Sequence, residues 1–284
     1  MPSSIGKGDD SRLEKRDKTN FETGYRRGIL NPPPPAPEQF RLSRCKPAPD
    51  LGHFIEHYWI VAWDLRGRGS HTQETLPQPN VHLVFEANNS QVYGVVTDKF
   101  SRHLHGKSHV FGIRFAPGMF RSFLGSAVSE LTDKTRPVRA VFGKSVSELE
   151  AVLVSSAAQE RMVKAADEFF QRRIPAFDDK AELAKRVVQQ VLDERDLCTV
   201  DDLVNRVGIG KRTLQRLFGE YVGVGPKWVI RRYRLHEAVE RFRSGERPNF
   251  AQVALELGYF DQAHLINDFK SIIGYSPSEF QKIL

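Results

Sequence analysis

Four side chains between positions 211 and 216 are of types that read nucleic acid: Lys211, Arg212, Gln215 and Arg216. A guanidinium meets guanine O6 and N7 with two parallel donors, and a carboxamide meets adenine N6 and N7 in the same bidentate way. On a helix turning about 100° per residue, Arg212, Gln215, Arg216 and Gly219 share one side, with Lys211 near the start. Leu214, Leu217, Phe218 and Tyr221 fall opposite, where a core must receive them. The outward face thus offers two guanidiniums, one amide and a glycine that lets the helix lie close to a phosphate wall.

The surrounding charge suits that chemistry. From Arg206 to Arg247 there are eleven basic and four acidic residues, net +7, whereas residues 250–284 hold two and four, net −2. The whole chain is also only +7, with 42 Lys+Arg against 35 Asp+Glu. A charge concentrated over about forty residues can hold polyanion phosphates. A solvated helix face is the plainer reading of the charge alone, and only its position on a motif overturns that.

The elements that must position these residues come as a repeat. Val200, Leu203, Val204, Val207 and Gly208 are answered by Phe250, Val253, Ala254, Leu257 and Gly258. Leu214, Phe218, Gly223 and Pro226 are answered by Leu265, Phe269, Gly274 and Pro277, at an offset of fifty to fifty-one residues. Each copy reads as an eight-residue amphipathic helix, a turn containing Gly, then a second helix. That is a helix-turn-helix, whose second helix enters the major groove.

The run from Gly208 to Phe218, followed by Gly223 and Pro226, resembles the AraC/XylS family of bacterial transcription regulators. Gly258-Tyr259, Asp261, His264, Leu265, Phe269, Lys270, Gly274, Ser276-Pro277 and Phe280 resemble that family's signature segment. The resemblance covers about residues 180–284. It implies two helix-turn-helix units, over 199–221 and 249–273, joined by a long helix over 226–243. It places DNA contacts at Lys211, Arg212, Gln215 and Arg216 in the first unit. In the second they fall on Gln262, Ala263, Ile266, Asn267 and Lys270. It further implies double-stranded promoter or operator DNA, RNA polymerase, a small-molecule effector and a homodimer as partners.

Two departures from the family pattern matter. Gly210 stands where serine is usual at the turn into the first recognition helix, which weakens that N-cap. Asn267 stands where arginine is common, so Arg212, Gln215 and Arg216 become Ala263, Ile266 and Asn267 in the second copy. That copy keeps only methyl contacts to thymine, and the first unit is expected to be the main base reader. In the joining helix, Arg231 falls within a stripe of Trp228, Leu235, Ala238, Val239 and Phe242. It is expected to snorkel or to meet a buried carboxylate, because an unpaired buried charge is costly. Arg232, Arg234 and Arg241 lie elsewhere and are expected to contact phosphate.

The N-terminal part reads differently. Residues 1–38 are polar, mix both charges and end in Pro32–Pro35, the composition of a disordered arm. Residues 39–142 carry short apolar runs, Tyr58–Trp63, Val81–Phe85, Val92–Val96 and Val110–Phe115, broken by Gly, Asn and Pro. These read as a small sheet or barrel. Leu76-Pro77, Leu83-Val84-Phe85 and Gly112 through Gly118 resemble an uncharacterised domain found ahead of AraC-type DNA-binding regions, which implies a sensing or dimerising module, cupin-like in architecture. Helical stretches over Ser145–Ser155 and Gln159–Arg173 form a linker over 143–177, and 178–284 is all helical. The expected fold class is α+β: a β-rich N-terminal domain, a helical linker and an all-α domain with two helix-turn-helix units.

Composition narrows the alternatives. There is no long apolar run and no secretory leader, and Cys45 and Cys198 are the only cysteines. A soluble cytoplasmic protein follows, without a disulfide framework or a four-thiolate zinc site. An alkylation-repair enzyme needs such a zinc site. A cupin-type metalloenzyme or metal sensor would draw on His53, His57, His103, His105 and His109, but no acidic residue follows at the spacing such a site uses. Ordinary surface or hydrogen-bonding histidines are the favoured reading. No Gly-x-Ser-x-Gly, P-loop or carboxylate pair is present, so no enzyme and no cofactor is expected. Non-specific DNA packaging is the remaining competitor.

Overall fold

The computed structural model describes residues 28–31, 39–243 and 249–283. The architecture is α+β. Eight strands come first: β1 Phe40–Cys45, β2 Ile55–Asp64, β3 His71–Thr75, β4 His82–Phe85, β5 Gln91–Tyr93, β6 Phe100–Leu104, β7 Lys107–Phe115 and β8 Thr135–Pro137. Six of them form an antiparallel sheet in the order β1-β2-β7-β4-β5-β8, and β3 pairs with β6 as a separate ribbon. Eleven α-helices are described, besides short 3-10 and π turns: α1 Arg121–Leu124, α2 Val138–Phe142, α3 Ser147–Ser155, α4 Gln159–Gln171, α5 Asp179–Asp193, α6 Val200–Val207, α7 Lys211–Leu217, α8 Pro226–Arg243, α9 Phe250–Glu256, α10 Gln262–Ile273 and α11 Pro277–Ile283.

Period-two alternation divides the large sheet into two faces. Tyr58, Ile60, Leu83, Phe85, Phe111, Ile113 and Phe115 point one way and pack on Leu149, Leu153, Met162 and Phe170 of α3 and α4. His57, Trp59, Val61 and Trp63 point the other way, into a cavity closed by the β3–β6 ribbon. The apolar runs in the sequence mark β2, β4, β5 and β7. The strands β1, β3, β6 and β8 lie outside them. His-Thr-Gln-Glu-Thr of β3 contains no apolar residue, so it offers no hydrophobic period to read, and all five residues are half-buried.

Residues 28–31 depart from the disordered-arm expectation. Ile29 bridges to Thr75, the Leu30 amide donates to the Glu74 carbonyl at 2.9 Å, and the Leu76 amide donates to the Gly28 carbonyl at 2.6 Å. Leu30 is buried with Leu76, Leu235, Phe242, Val253 and Phe269. Two adjacent apolar residues, Ile29 and Leu30, inside a polar tract carry no periodic signal, which is why the segment reads as an arm. Residues 1–27 and 32–38 lie outside the described residues.

The repeat is structural. Helices α6 and α9 end at Gly208 and Gly258, whose φ values of 69° and 70° are the left-handed conformation glycine adopts without a Cβ penalty. Starts are capped by side chains: Thr199 and Asp202 form a reciprocal box on α6, Asn249 caps α9, and Asp261 caps α10. The first unit packs on α5 and the front of α8, around Val187, Val188, Leu203, Leu214 and Val229. The second packs on the back of α8, around Leu235, Val239, Leu265 and Phe269. Both cores therefore share one helix. Among the described residues no helix is long and apolar enough to cross a membrane.

Candidate nucleic-acid interface

Helix α7 buries Leu214 and Leu217 and leaves Lys211, Arg212, Gln215 and Arg216 exposed together. Its start lacks a side-chain cap, because Gly210 occupies the N-cap position. Its end widens into a π-helical turn over Phe218–Val222, closed by the Gly223 amide on the Phe218 carbonyl at 2.8 Å. Phe218 and Tyr221 stay in the core, and the Tyr221 hydroxyl donates to Asp178 at 3.0 Å.

Ion pairing sorts the basic cluster. Arg206 is held by Glu194 and Asp196, Arg241 by Glu237 and Glu256, and Arg243 lies 3.8 Å from Glu240. Lys211 pairs with Asp201 at 2.9 Å, with both groups exposed, so a phosphate can replace that partner at little cost. Much of the basic cluster is thus held in internal pairs, and among the described residues Arg212, Arg216 and the exposed Lys227 have no carboxylate partner.

In the second unit, Gln262, Ala263, Asn267 and Lys270 are exposed on α10 and Ile266 is half-buried. The outward face carries one cation in place of three. Asp268, next to Asn267, turns inward to Arg231 and to the Tyr259 hydroxyl at 2.8 Å.

Two expected phosphate contacts are corrected. Arg232 is 2 % exposed: it lies over the Trp228 ring at 4.6 Å and donates to the Thr97 carbonyl of the β5–β6 loop. Burial, reinforced by Arg231, lowers its pKa to about 10. Arg234 is stacked on Tyr259 at 3.8 Å. The reason is shared. Helix α8 is enclosed by both units and by the N-terminal domain, so a single apolar stripe does not describe its surroundings. His236, on the same helix, is fully buried with Nε2 3.3 Å from the Pro77 carbonyl, and Arg243 donates to the Ile29 carbonyl.

The cavity behind β2 is the second feature, with a volume of about 270 Å³. Cross-strand register orders its wall in rows. Arg114 is the partner of both His57 and His82, and Tyr93 continues that row opposite His82. The next row has Arg44, Trp59, Gly112 and Val84. A Cβ on Gly112 would lie 1.8 Å from the Trp59 indole, so the glycine makes room for that ring. Leu42, Val61 and Val110 follow, and Trp63 closes the end with its Nε1 donating to the His105 carbonyl at 3.0 Å.

Arg114 is held by Glu56 at 2.6 Å, by Asn80 at 2.7 Å and by Gln78. Trp59 Nε1 donates to His82 Nδ1 at 3.3 Å, leaving His82 Nε2–H as that ring's donor. Burial, then Arg114 and Arg44, hold the His57 pKa down to about 3, and burial and Arg114 push His82 well below its ordinary value. The apolar runs alone do not reveal this wall. The available signal is His-x-Trp-x-Val-x-Trp in β2, a second patterned face, together with a glycine in mid-strand at 112.

The remaining histidines are dispersed. His53 meets Glu182 at 3.2 Å, His103 meets the Thr72 hydroxyl at 2.7 Å, and His109 meets the Leu153 carbonyl at 3.0 Å. No three His, Cys, Asp or Glu side chains among the described residues stand where they could hold a metal ion.

Comparison with known proteins agrees with this division. Residues 203–283 match a helix-turn-helix domain family, and residues 43–137 match a domain of unknown function, DUF6597. An AraC-like transcription regulator of Streptomyces antibioticus is 30% identical over 84 residues, 30% of this chain and 27% of that one. One of Streptomyces lividans is 31% identical over the same shares. The chain thus spans about a quarter of the length of these relatives. Among solved structures, ToxT of Vibrio cholerae O395 aligns over 93% of this chain and 98% of its own at 14% identity, TM-score 0.38. An AraC-type DNA-binding domain from Chromobacterium violaceum aligns over 36% and 94% at 20% identity, TM-score 0.31.

Proposed function

Because the C-terminal third of this chain is an AraC-type helix-turn-helix domain, we propose that the protein is a sequence-specific transcription regulator, not an enzyme. It acts on double-stranded promoter or operator DNA and, through it, on RNA polymerase. The observation that carries the reading is the exposed set Lys211, Arg212, Gln215 and Arg216 on α7, opposite buried Leu214 and Leu217. The first unit is the main base reader, with Gln262, Ala263, Ile266, Asn267 and Lys270 of the second unit giving weaker, largely apolar contacts. The β-rich half senses a small molecule, which the 270 Å³ cavity favours over a purely dimerising role.

Footprinting on sites selected from random duplexes tests this. One chain with two units on a shared helix should give two unequal protections about one turn (~34 Å) apart, the stronger under the first unit. Equal protections, a strict palindrome for one monomer, or no preference over random DNA would each contradict it.

A further inference from the structure

The two helix-turn-helix units differ in length at their turns. Between the left-handed glycine after the first helix and the residue that caps the second, the first unit has one residue, Ile209. The second unit has two, Tyr259 and Phe260, between Gly258 and Asp261. The offset of the repeat changes here from fifty to fifty-one. Tyr259 takes the inward place, buried in the second core as Ile209 packs on the first. Phe260 is the added residue. At 88 % it is the most exposed large apolar side chain among the described residues.

Neither packing nor capping accounts for this ring. An apolar residue just before an N-cap can staple onto the fourth helical residue, here the fully buried Leu265, but a ring so exposed does no such packing. The turn nevertheless holds it firmly. On one side the Tyr259 amide donates to the Ala254 carbonyl and the Tyr259 hydroxyl to Asp268, both at 2.8 Å. On the other, Asp261 accepts from the His264 amide at 2.7 Å. An apolar ring held in water by a fixed backbone gains by burial and has little ordering left to lose.

The position of Phe260 selects what buries it. Residues at the N-terminal end of the second helix of such a unit meet base edges in the major groove. Phe260 stands immediately before that end, ahead of the exposed Gln262 and Ala263. A phenyl ring has no donor or acceptor, so the base-edge group that suits it is the C5-methyl of thymine. Wedging between base steps is a device of minor-groove binders and does not suit a helix seated in the major groove. We propose that Phe260 reads a thymine methyl in the half-site under the second unit. The first unit has no counterpart, because its turn lacks the residue. The assignment rests on the reading of α10 as the second DNA-reading helix, and it adds a specificity contact from outside that helix.

Deoxyuridine scanning tests it. In a site selected from random duplexes, each thymine under the second unit is replaced singly by deoxyuridine, which removes the methyl and keeps the base pair. Titrated with the full chain, at least one replacement should weaken binding about fourfold. Phe260→Ala should weaken the unmodified site about four- to tenfold, and the same deoxyuridine should then cost less than about 1.5-fold, because the two losses share one contact. Phe260→Met, which keeps an apolar side chain, should retain a penalty of about twofold or more. Melting should not move in either variant, since the ring is exposed. No sensitive thymine under the second unit, or a sensitive one whose full penalty persists in Phe260→Ala, overturns the assignment and leaves the regulator reading standing. Wild-type DNA affinity in Phe260→Ala, with transcription lost in a reconstituted assay, overturns it too and makes the ring a protein-facing contact. A selection that returns no preferred duplex overturns the regulator reading itself, and this contact with it.

Discussion

Arg231 on α8 and Asp268 on α10 form an ion pair in which the carboxylate is 9 % exposed and the guanidinium side chain 43 % exposed. Asp268 also accepts from the Tyr259 hydroxyl, and Arg231 Nη2 reaches the Ser271 hydroxyl at 3.0 Å. The pair fastens the second recognition helix to the helix that both units share. Arg231→Ala should cost on the order of 1–3 kcal/mol, because Asp268 keeps one donor and the guanidinium gives up a partly hydrated site. Thermal melting reads the loss, and the slope of log affinity against log salt should stay unchanged. Wild-type melting with a slope reduced by about one would make Arg231 a phosphate contact instead.

Leu30 ties the N-terminal segment into the core of the second unit, beside Leu235 and Phe242. Leu30→Ala should destabilise by about 2–4 kcal/mol through lost burial and the cavity left behind. Footprints should then weaken under the second unit before the first. A melting temperature unaffected by this change would show that the segment contributes no packing energy.

The helical half is largely legible in the sequence because its cues are local. Apolar residues at i, i+3, i+4 and i+7, then Gly, then Pro, specify each unit within about twenty-five residues and then recur. For Arg231 one helical wheel gives two alternatives, snorkelling or a buried carboxylate; the structure supplies the carboxylate, Asp268, while solvent still reaches the guanidinium. Arg232 does not follow, since its burial depends on Thr97, 135 residues away. The row of His57, Arg114 and His82 is hidden for the same reason. Register across three strands is a non-local property, and β3 and β6, which close the cavity, have no apolar alternation to announce them.

Base reading is tested at α7. Alanine at Arg212, Gln215 or Arg216 should cost roughly 1–3 kcal/mol on a selected site and relax the preference at one position each. Their exposure opposite Leu214 makes a fold-based loss implausible, so melting should not move. Unchanged sequence preference in all three variants would remove α7 from the reading surface.

Gly210 offers a gain. Its φ of −58° and ψ of 144° suit any residue, and a Cβ there meets nothing within 4 Å. Gly210→Ser should cap α7 and restrict the unfolded chain, stabilising by roughly 0.5–1 kcal/mol. A drop in melting temperature would mean the uncapped turn is needed as it stands.

His57 makes the N-terminal domain acid-sensitive in a stated direction. Its pKa is about 3 in the folded chain, against an ordinary value of 6.5, because burial and the nearby Arg114 and Arg44 oppose the imidazolium. Above pH 6.5 the ring is neutral in both folded and unfolded chains and adds nothing to the pH dependence. Between pH 6.5 and 3 the unfolded chain takes up a proton that the folded chain refuses, so stability falls as pH falls. At pH 5 that loss is on the order of 2 kcal/mol for this group. His82, pushed the same way by burial and Arg114, adds to it. Denaturant unfolding from pH 7.5 to 5 should therefore show a steep decline in the wild type and a shallower one in His57→Gln, which cannot titrate. Superimposable pH profiles for the two proteins would mean that His57 takes up its proton in the folded state as readily as in the unfolded one.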